Sequence, residues 1–183
     1  KALLHGTTAV GWNAEATGLY AIAMGLGSRA TQWSSLAIGV FADATGNGSI
    51  AIGELAAGSG ADGVAIGSAS RASGWKSMAL GSSALATAND SIALGSGSVA
   101  DRPDTLSIGR AGAERQIVNV ADGTEATDAV NKRQMDSAIA NLGDGLGELG
   151  ATAVRYDDKD KARIALGGEQ GTTISNLRAG VAA

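Results

Sequence analysis

The sequence predicts a mostly β protein: a parallel β-roll of 14-residue coils, then one helix, then a small β-rich end. Three observations predict it. A five-residue string ending in glycine recurs every 14 residues through the first 109 positions. Within each repeat, small and bulky residues alternate with period two, as in a strand with two unlike faces. After Gly109 the period stops, the density of charged residues more than doubles, and aliphatics spaced 4, 3, 4, 3 take over.

The repeat comes first. SLAIG (35–39), SIAIG (49–53), GVAIG (63–67), SMALG (77–81) and SIALG (91–95) start 14 residues apart without a slip. TLSIG (105–109) continues the series, and AIAMG (21–25) and TTAVG (7–11) extend it backwards. A short fixed period of this kind marks a solenoid. Positions two and four of each string are bulky: Thr8 and Val10, Ile22 and Met24, Leu36 and Ile38, Ile50 and Ile52, Val64 and Ile66, Met78 and Leu80, Ile92 and Leu94, Leu106 and Ile108. Only Thr8 is not apolar.

A second alternating stretch follows in each repeat, as in AEATG (14–18), ADATG (42–46) and SRASG (70–74). Its first and third positions are small. Its second varies freely (Glu15, Arg29, Asp43, Ala57, Arg71, Leu85, Val99), and its fourth is mostly Thr or Ser. Two strands of about five residues and two tight turns use up one repeat. Each repeat is then a flattened coil, stacked about 4.8 Å from the next. So thin a coil admits only Ala, Gly and Ser inside. The small positions face inward, the variable positions face water, and the aliphatics point out of the other side.

That aliphatic face cannot stay wet. Fifteen aliphatics in a row exceed the few hundred Å² of apolar surface that monomers usually expose. Burying them contributes on the order of 20–45 kcal/mol, at about 1.5–3 each. Either residues 110–183 of the same chain cover the face, or another copy does. Residues 110–183 carry a different pattern, so the spacing favours an obligate homo-oligomer with the aliphatic rows meeting at a shared axis.

Composition narrows the function classes. The chain has 183 residues, 28 Gly, no Cys and six aromatic residues. There is no strict Gly-X-Y period, which excludes collagen. With a net charge of −4 and a pI near 4.9, it has no basic stripe for phosphates, so nucleic acid is not an expected partner. No apolar run approaches the ~18 residues of a membrane span. The start KALLHGTT lacks the features of a signal peptide.

In the second part, RQIVNVADGTEATDAVNKRQM (115–135) leads into a predicted helix, with Thr127 as N-cap and Asp128 complementing the dipole in the first turn. Met135, Ile139, Leu142, Leu146 and Leu149 form a heptad seam. Gly143, Gly145 and Gly147 weaken that helix by about 1 kcal/mol each relative to Ala, so association must hold it. Strand-like patterns return in AVRYDD (153–158), RIALGG (163–168) and TTISNL (172–177). ISNLRAG (174–180) matches IVNVADG (117–123) at Ile, Asn and Gly, 57 residues on. The later copy reads as the start of a second unit of a longer repeating stalk.

With these motifs in view, the chain resembles the YadA-like (Yersinia adhesin type) trimeric autotransporter adhesins. By that resemblance residues 1–109 are a head, a left-handed parallel β-roll, and the neck motif follows, assigned to 110–127. Residues 128–150 are a coiled-coil helix, and residues 151–183 are a β-rich stalk connector with Gly167–Gly168, ending in the start of a second neck-like motif. Leu166 stands where that connector's Phe would be, and Lys132 where the neck usually has Val. The resemblance implies a homotrimer. Its core would be Ile22, Met24, Leu36, Ile38, Ile50, Ile52, Val64, Ile66, Met78, Leu80, Ile92, Leu94, Leu106 and Ile108 in the head. In the stalk it would be Met135, Ile139, Leu142, Leu146 and Leu149. It also implies display on the outer membrane of a Gram-negative bacterium, contact with host extracellular-matrix proteins or host cells, and a membrane anchor outside these residues.

No catalytic constellation, cofactor motif or metal cluster is expected. His5 is the only histidine and sits near a terminus expected to fray. It cannot build a triad or a metal site alone. Asp157 and Asp158 read as a solvated turn. The Gly-rich stretches match neither GxxxxGK[ST] nor GGxGxD, and the hexapeptide repeat of left-handed-helix acyltransferases is absent. Trp12, Trp33 and Trp75 fall in predicted turns, Trp33 and Trp75 at equivalent positions three repeats apart, with Arg29, Arg71 and Lys76 nearby in the repeat frame. Trp33, Trp75, Arg71 and Lys76 are either a binding stripe on a rigid rod or, for the tryptophans, covers over their own turn backbones. Three functions follow: an adhesin whose copies bind by avidity, a purely structural fibre or spacer, and an ice- or glycan-binding solenoid. Thr17, Thr31, Thr45 and Thr87 form only a partial ladder for ice, broken by Ser59, Ser73 and Asp101.

Overall fold

The computed structural model describes residues 1–153 and, beyond them, 155–156, 159–160 and 164–165. Two compact units divide the chain, Lys1–Gln116 and Ile117–Ala183.

The first unit is the expected parallel roll. Strands β1 (Thr8–Val10), β3 (Ile22–Met24), β5 (Leu36–Ile38), β7 (Ile50–Ile52), β9 (Val64–Ile66), β11 (Met78–Leu80), β13 (Ile92–Leu94) and β15 (Leu106–Ser107) form one sheet in that order. Strands β2 (Glu15–Ala16), β4 (Arg29–Ala30), β6 (Asp43–Ala44), β8 (Ala57–Gly58), β10 (Arg71–Ala72), β12 (Leu85–Ala86) and β14 (Val99–Ala100) form the other. Every strand pairs in parallel with the residue 14 positions on, as in Ile22↔Leu36 and Leu36↔Ile50.

The strands span three residues at most, against an expected five. The cause is the glycine that ends each first strand. Gly39 has φ +135°, a conformation open to glycine, and turns the chain out of the sheet. Backbone hydrogen bonds continue past it from coil to coil, for example Gly39 N–H to the Met24 carbonyl at 2.8 Å.

The coil interior is built from the small residues. Ala16, Ala23, Ala30, Ala37 and Ala44 have no exposed surface. Seven serines are buried beside them. Five of the hydroxyls reach back three residues to a turn carbonyl, among them Ser35 Oγ to Gln32 O at 2.7 Å, Ser77 Oγ to Gly74 O at 2.8 Å and Ser91 Oγ to Ala88 O at 2.7 Å. Ser98 Oγ donates to Leu94 O at 2.7 Å, and Ser49 Oγ accepts Gly46 N–H at 3.1 Å. A buried polar group so paired carries little desolvation penalty. Each serine thus fills the narrow interior and fastens the turn before its strand.

Both turns of a coil end on a residue in the left-handed region, among them Asn13 (φ 55°), Phe41 (φ 55°) and Lys76 (φ 52°). The two halves of a coil therefore follow one seven-residue plan: small, outward, small, outward, then a three-residue turn.

The roll is secured at both ends. The N-terminus, expected to fray, is tied down: Leu3 N–H bonds Ala16 O at 3.2 Å and Tyr20 N–H bonds the His5 carbonyl at 3.3 Å. At the other end the Arg115 guanidinium donates to Ser98 Oγ at 2.8 Å, to Ile108 O at 2.6 Å and to Ser96 O. These carbonyls have no further coil to meet, and Arg115 takes its place.

In the second unit, helix α1 covers Lys132–Thr152, not 128–150, and its N-cap is Asn131, not Thr127. Asn131 wins because it completes a capping box: its Oδ1 accepts from Gln134 N–H at 3.0 Å, and Gln134 Oε1 accepts from Asn131 N–H at 3.4 Å. The Asp128 carboxylate instead accepts from the backbone N–H groups of Thr124 and Glu125, both at 3.0 Å, closing a turn ahead of the helix. Beyond α1, β16 (Arg155–Tyr156) pairs antiparallel with β17 (Ile164–Ala165). Asp157, Asp158, Leu166, Gly167–Gly168, the TTISNL stretch and the second neck-like motif lie outside the described residues.

Candidate functional site

The outer face of the first sheet gathers the predicted head-core residues into two parallel rows. Parallel register places Ile22, Leu36, Ile50, Val64, Met78, Ile92 and Leu106 in one, and Met24, Ile38, Ile52, Ile66, Leu80 and Leu94 in the other. Ile108 follows β15. Among the described residues nothing seals these rows: most of their side chains are half-exposed, and Ile22, Leu94 and Leu106 are 36 %, 44 % and 57 % exposed. The five seam residues of α1 are barer still, at 58–65 %.

The other sheet presents a mixed face of charged, small and aliphatic side chains flanked by Thr and Ser. Arg71 stands in β10 between Ala57 and Leu85. Arg29 and Asp43 pair across neighbouring coils at 3.7 Å, a solvent-exposed contact of little stability. Thr17, Thr31 and Thr45 stack in successive coils of this sheet, followed by Ser59 and Ser73.

The turns make two edges of opposite character. On the edge after the first strands, Trp12, Leu26 and Val40 run in a column, joined by Gly27 N–H to Trp12 O and Phe41 N–H to Leu26 O, with Phe41 and Leu55 beside them. On the edge after the second strands the column is Leu19, Trp33, Asn47, Ala61, Trp75 and Asn89, with Tyr20 beside Leu19. It is held by Gly48 N–H to Trp33 O (2.9 Å), Asp62 N–H to Asn47 O (2.8 Å), Lys76 N–H to Ala61 O (2.8 Å) and Asp90 N–H to Trp75 O (2.8 Å).

The structure thus brings Trp33, Trp75 and Lys76 onto one edge and leaves Arg71 on the adjoining sheet. Trp33 is 57 % exposed and Trp75 47 %. Lys76 Nζ stands 4.0 Å from the Trp75 ring centroid, a cation–π contact. Trp75 N–H donates to Asn89 Oδ1 of the next coil at 2.9 Å. Sequence reasoning had missed Asn47 and Asn89, although the 14-residue frame aligns both with the tryptophans.

The segment before α1 forms a polar clasp. Asn131 Nδ2 donates to Val120 O at 3.1 Å and to Asp122 Oδ1 at 2.6 Å, and Arg133 donates to the same carboxylate oxygen at 2.6 Å. Gln134 closes a two-way pair with Gly123: its Oε1 accepts Gly123 N–H at 2.9 Å and its Nε2 donates to Gly123 O at 3.0 Å. The Arg133 guanidinium, and then Asn131, hold the Asp122 carboxyl below its ordinary pKa. Bonds from the N–H groups of Glu125 and Thr124 lower that of Asp128. The spacing N-x-x-Q at 131–134 was the sequence signal for this clasp.

Comparison with known proteins places this geometry. The YadA head domain repeat matches residues 5–28, 34–54 and 76–98. The coiled stalk of trimeric autotransporter adhesins matches residues 116–158. The crystal structure of the collagen-binding domain of the Yersinia adhesin YadA superposes with a TM-score of 0.63 at 32 % identity, over 73 % of this chain and 75 % of that one. The chain belongs to the YadA-like trimeric autotransporter adhesins.

Two further adhesins match in sequence. The trimeric autotransporter adhesin AtaA of Acinetobacter sp. (strain Tol 5) is 51 % identical over 70 residues, 38 % of this chain. The autotransporter adhesin EhaG of Escherichia coli O157:H7 is 44 % identical over 75 residues, 37 % of this chain. The match spans only 2 % of the length of AtaA and 4 % of EhaG. Within this adhesin family the roll corresponds to the head and α1 to the stalk.

Proposed function

We propose that this chain is part of a homotrimeric surface adhesin whose rigid head attaches a Gram-negative cell to host extracellular matrix or host cells. The observation that carries self-association is the open aliphatic face, and the likeness to trimeric adhesins supports three copies. The residues of that face are half-exposed or exposed and the α1 seam is exposed on the single chain, more contiguous apolar surface than monomers usually leave in water. Three copies bury the aliphatic rows against one another, and the α1 seams pack likewise among the three helices. The trimer core is then the residue set from Ile22 to Ile108 together with the seam from Met135 to Leu149.

Attachment is supported by the likeness to a domain that binds collagen, at 32 % identity over most of both chains. A trimer presents every surface feature three times, so modest sites add up by avidity. The outward sheet and both turn edges are the surfaces available, with Trp33, Trp75, Lys76 and Arg71 as candidate contacts.

Sedimentation equilibrium and binding to immobilised collagen, fibronectin and laminin test this reading. The expected mass is three times the chain mass of 17.9 kDa, with saturable retention on at least one matrix protein or on cultured cells. A folded monomer overturns the shared axis. A trimer that binds nothing on the panel leaves the roll as a spacer.

A further inference from the structure

We propose that the edge carrying Trp33, Asn47, Ala61, Trp75 and Asn89 is a binding strip for an extended neutral oligosaccharide. The proposal deepens the adhesin reading, because it requires this edge to remain on the surface of the assembly.

Geometry comes first. Trp33 and Trp75 lie in one column, joined turn by turn through the carbonyls of Trp33, Asn47 and Ala61. Three coil steps separate them, about 14 Å at ~4.8 Å per step. Between them stand only Asn47 and Ala61, with Gly48 and Asp62 alongside. Two broad indoles therefore bracket a low floor. The backbone ladder fixes their separation.

Chemistry selects the ligand. A protein partner buries its anchoring aromatics in an apolar centre. Apart from Leu19 and Tyr20 on the coil before Trp33, this strip has none: amide groups stand beside Trp33, and amide, carboxylate and ammonium groups beside Trp75. A larger apolar cluster lies on the opposite edge, at Leu26, Val40, Phe41 and Leu55. A pyranose ring has the complementary form, with an apolar C–H face to stack on an indole and a rim of hydroxyls for nearby polar groups. Sites for such ligands combine flat aromatic surface with a few fixed donors and acceptors. Asn89 is fixed in this way: its Oδ1 accepts Trp75 N–H, which leaves its amide N–H groups to donate.

Charge selects neutral over acidic sugars. Lys76 is the one cation of the strip, it is engaged over the Trp75 ring, and Asp62 and Asp90 occupy the same turn position one coil to either side. Straightness selects an extended chain: a β-linked oligomer long enough to touch both indoles, not a branched cap or a single sugar.

The test uses the purified trimer and intrinsic tryptophan fluorescence, with chitohexaose, cellohexaose and a hexasaccharide of N-acetyllactosamine as probes, and the corresponding disaccharides beside them. The expected result is saturable binding of at least one hexasaccharide, with its disaccharide at least ~10-fold weaker because it cannot reach both indoles. Trp33→Ala and Trp75→Ala each weaken binding roughly 10-fold or more, the range of a contact residue that matters. Trp12→Ala, on the other edge, leaves it unchanged. Asn47→Ala and Asp62→Ala give a second reading that disturbs no aromatic packing. Hexasaccharide binding that survives both tryptophan substitutions overturns the proposal, and so does failure of all three probes to bind. Matrix attachment measured on the same samples separates the two readings. A trimer that holds collagen and no sugar keeps the adhesin function and loses the strip.

Discussion

Phe41 lies across Gly27. A β-carbon built on Gly27 would stand 2.6 Å from the Phe41 ring, and Tyr20 lies on Gly6 in the same way. In both pairs an aromatic residue ends a turn and covers the bare glycine that ends the turn one coil earlier. The ring shields backbone that a glycine would leave open to water, the role aromatic residues play over exposed glycines in sheets.

Glycine substitutions should rank by what the added carbon meets. At Gly39 it meets the Gly53 carbonyl oxygen at 2.5 Å, which is backbone, and φ is +135°. Gly39→Ala should lower stability by roughly 3 kcal/mol or more. Gly27→Ala displaces only the Phe41 ring, at φ +62°, and should cost about 1–2 kcal/mol. Gly143→Ala meets nothing within 4 Å and should stabilise α1 by about 1 kcal/mol. Thermal melts of the three variants check the order; Gly39→Ala melting above Gly27→Ala contradicts it.

Inside and outside positions should differ as sharply. Ala37 is wholly buried in the coil, and Ala37→Leu has no room to place three more carbons, so a loss of roughly 3 kcal/mol or more is expected. Arg71→Leu changes an exposed side chain and should stay within about 0.5 kcal/mol. Equal melting temperatures would falsify the inward assignment of the small residues.

A charge in the aliphatic rows should break the assembly before it breaks the coil. Ile50→Asp places a carboxylate where three copies would converge, and a buried unpaired charge costs several kcal/mol. The side chain points away from the coil interior, so the roll itself can still form. The expected outcome is a smaller mass by sedimentation with retained β circular dichroism.

The clasp before α1 should loosen in acid. Arg133 and Asn131 hold the Asp122 pKa below the ordinary carboxyl value, and backbone N–H groups do the same for Asp128. A depressed carboxyl pKa favours the folded form above the unfolded pKa, and that contribution is lost as pH falls through the folded one. The helix start should therefore be insensitive to pH from neutral down to about 4 and weaken below it. Carboxyl chemical shifts followed by NMR locate the midpoint. Asp122→Asn should remove that part of the response.

Most of the fold was legible because the repeat is short and unbroken. Ala37 and Ile38 announce their opposite faces by size alone, and the 14-residue frame fixes which residues stack. The N-cap was misplaced because Thr127 and Asn131 are both good caps in isolation. What decides between them is the reach of Gln134 back to Asn131 and Gly123, a contact between chain segments. Arg115 gave no signal at all: an arginine after a repeat looks like any surface cation until the unpaired carbonyls of Ser96 and Ile108 are seen. The strip was half legible. The tryptophans stood out, whereas Asn47 and Asn89 matter only for where the turns set them.

The direction of the coil-to-coil hydrogen bonds has a mechanical consequence. They run along the axis of the roll, so tension along that axis meets the coils one after another while the bonds within each step share the load. Such a rod does not stretch gradually; it holds its length until its weakest step opens. The step into the coil of Pro103 is a candidate for that point, since the bond from Asp104 N–H to Asn89 O is long at 3.3 Å, against 2.8 Å for Asp90 N–H to Trp75 O one coil earlier. Under shear the roll would act as an inextensible lever that passes force undiminished to whatever it grips.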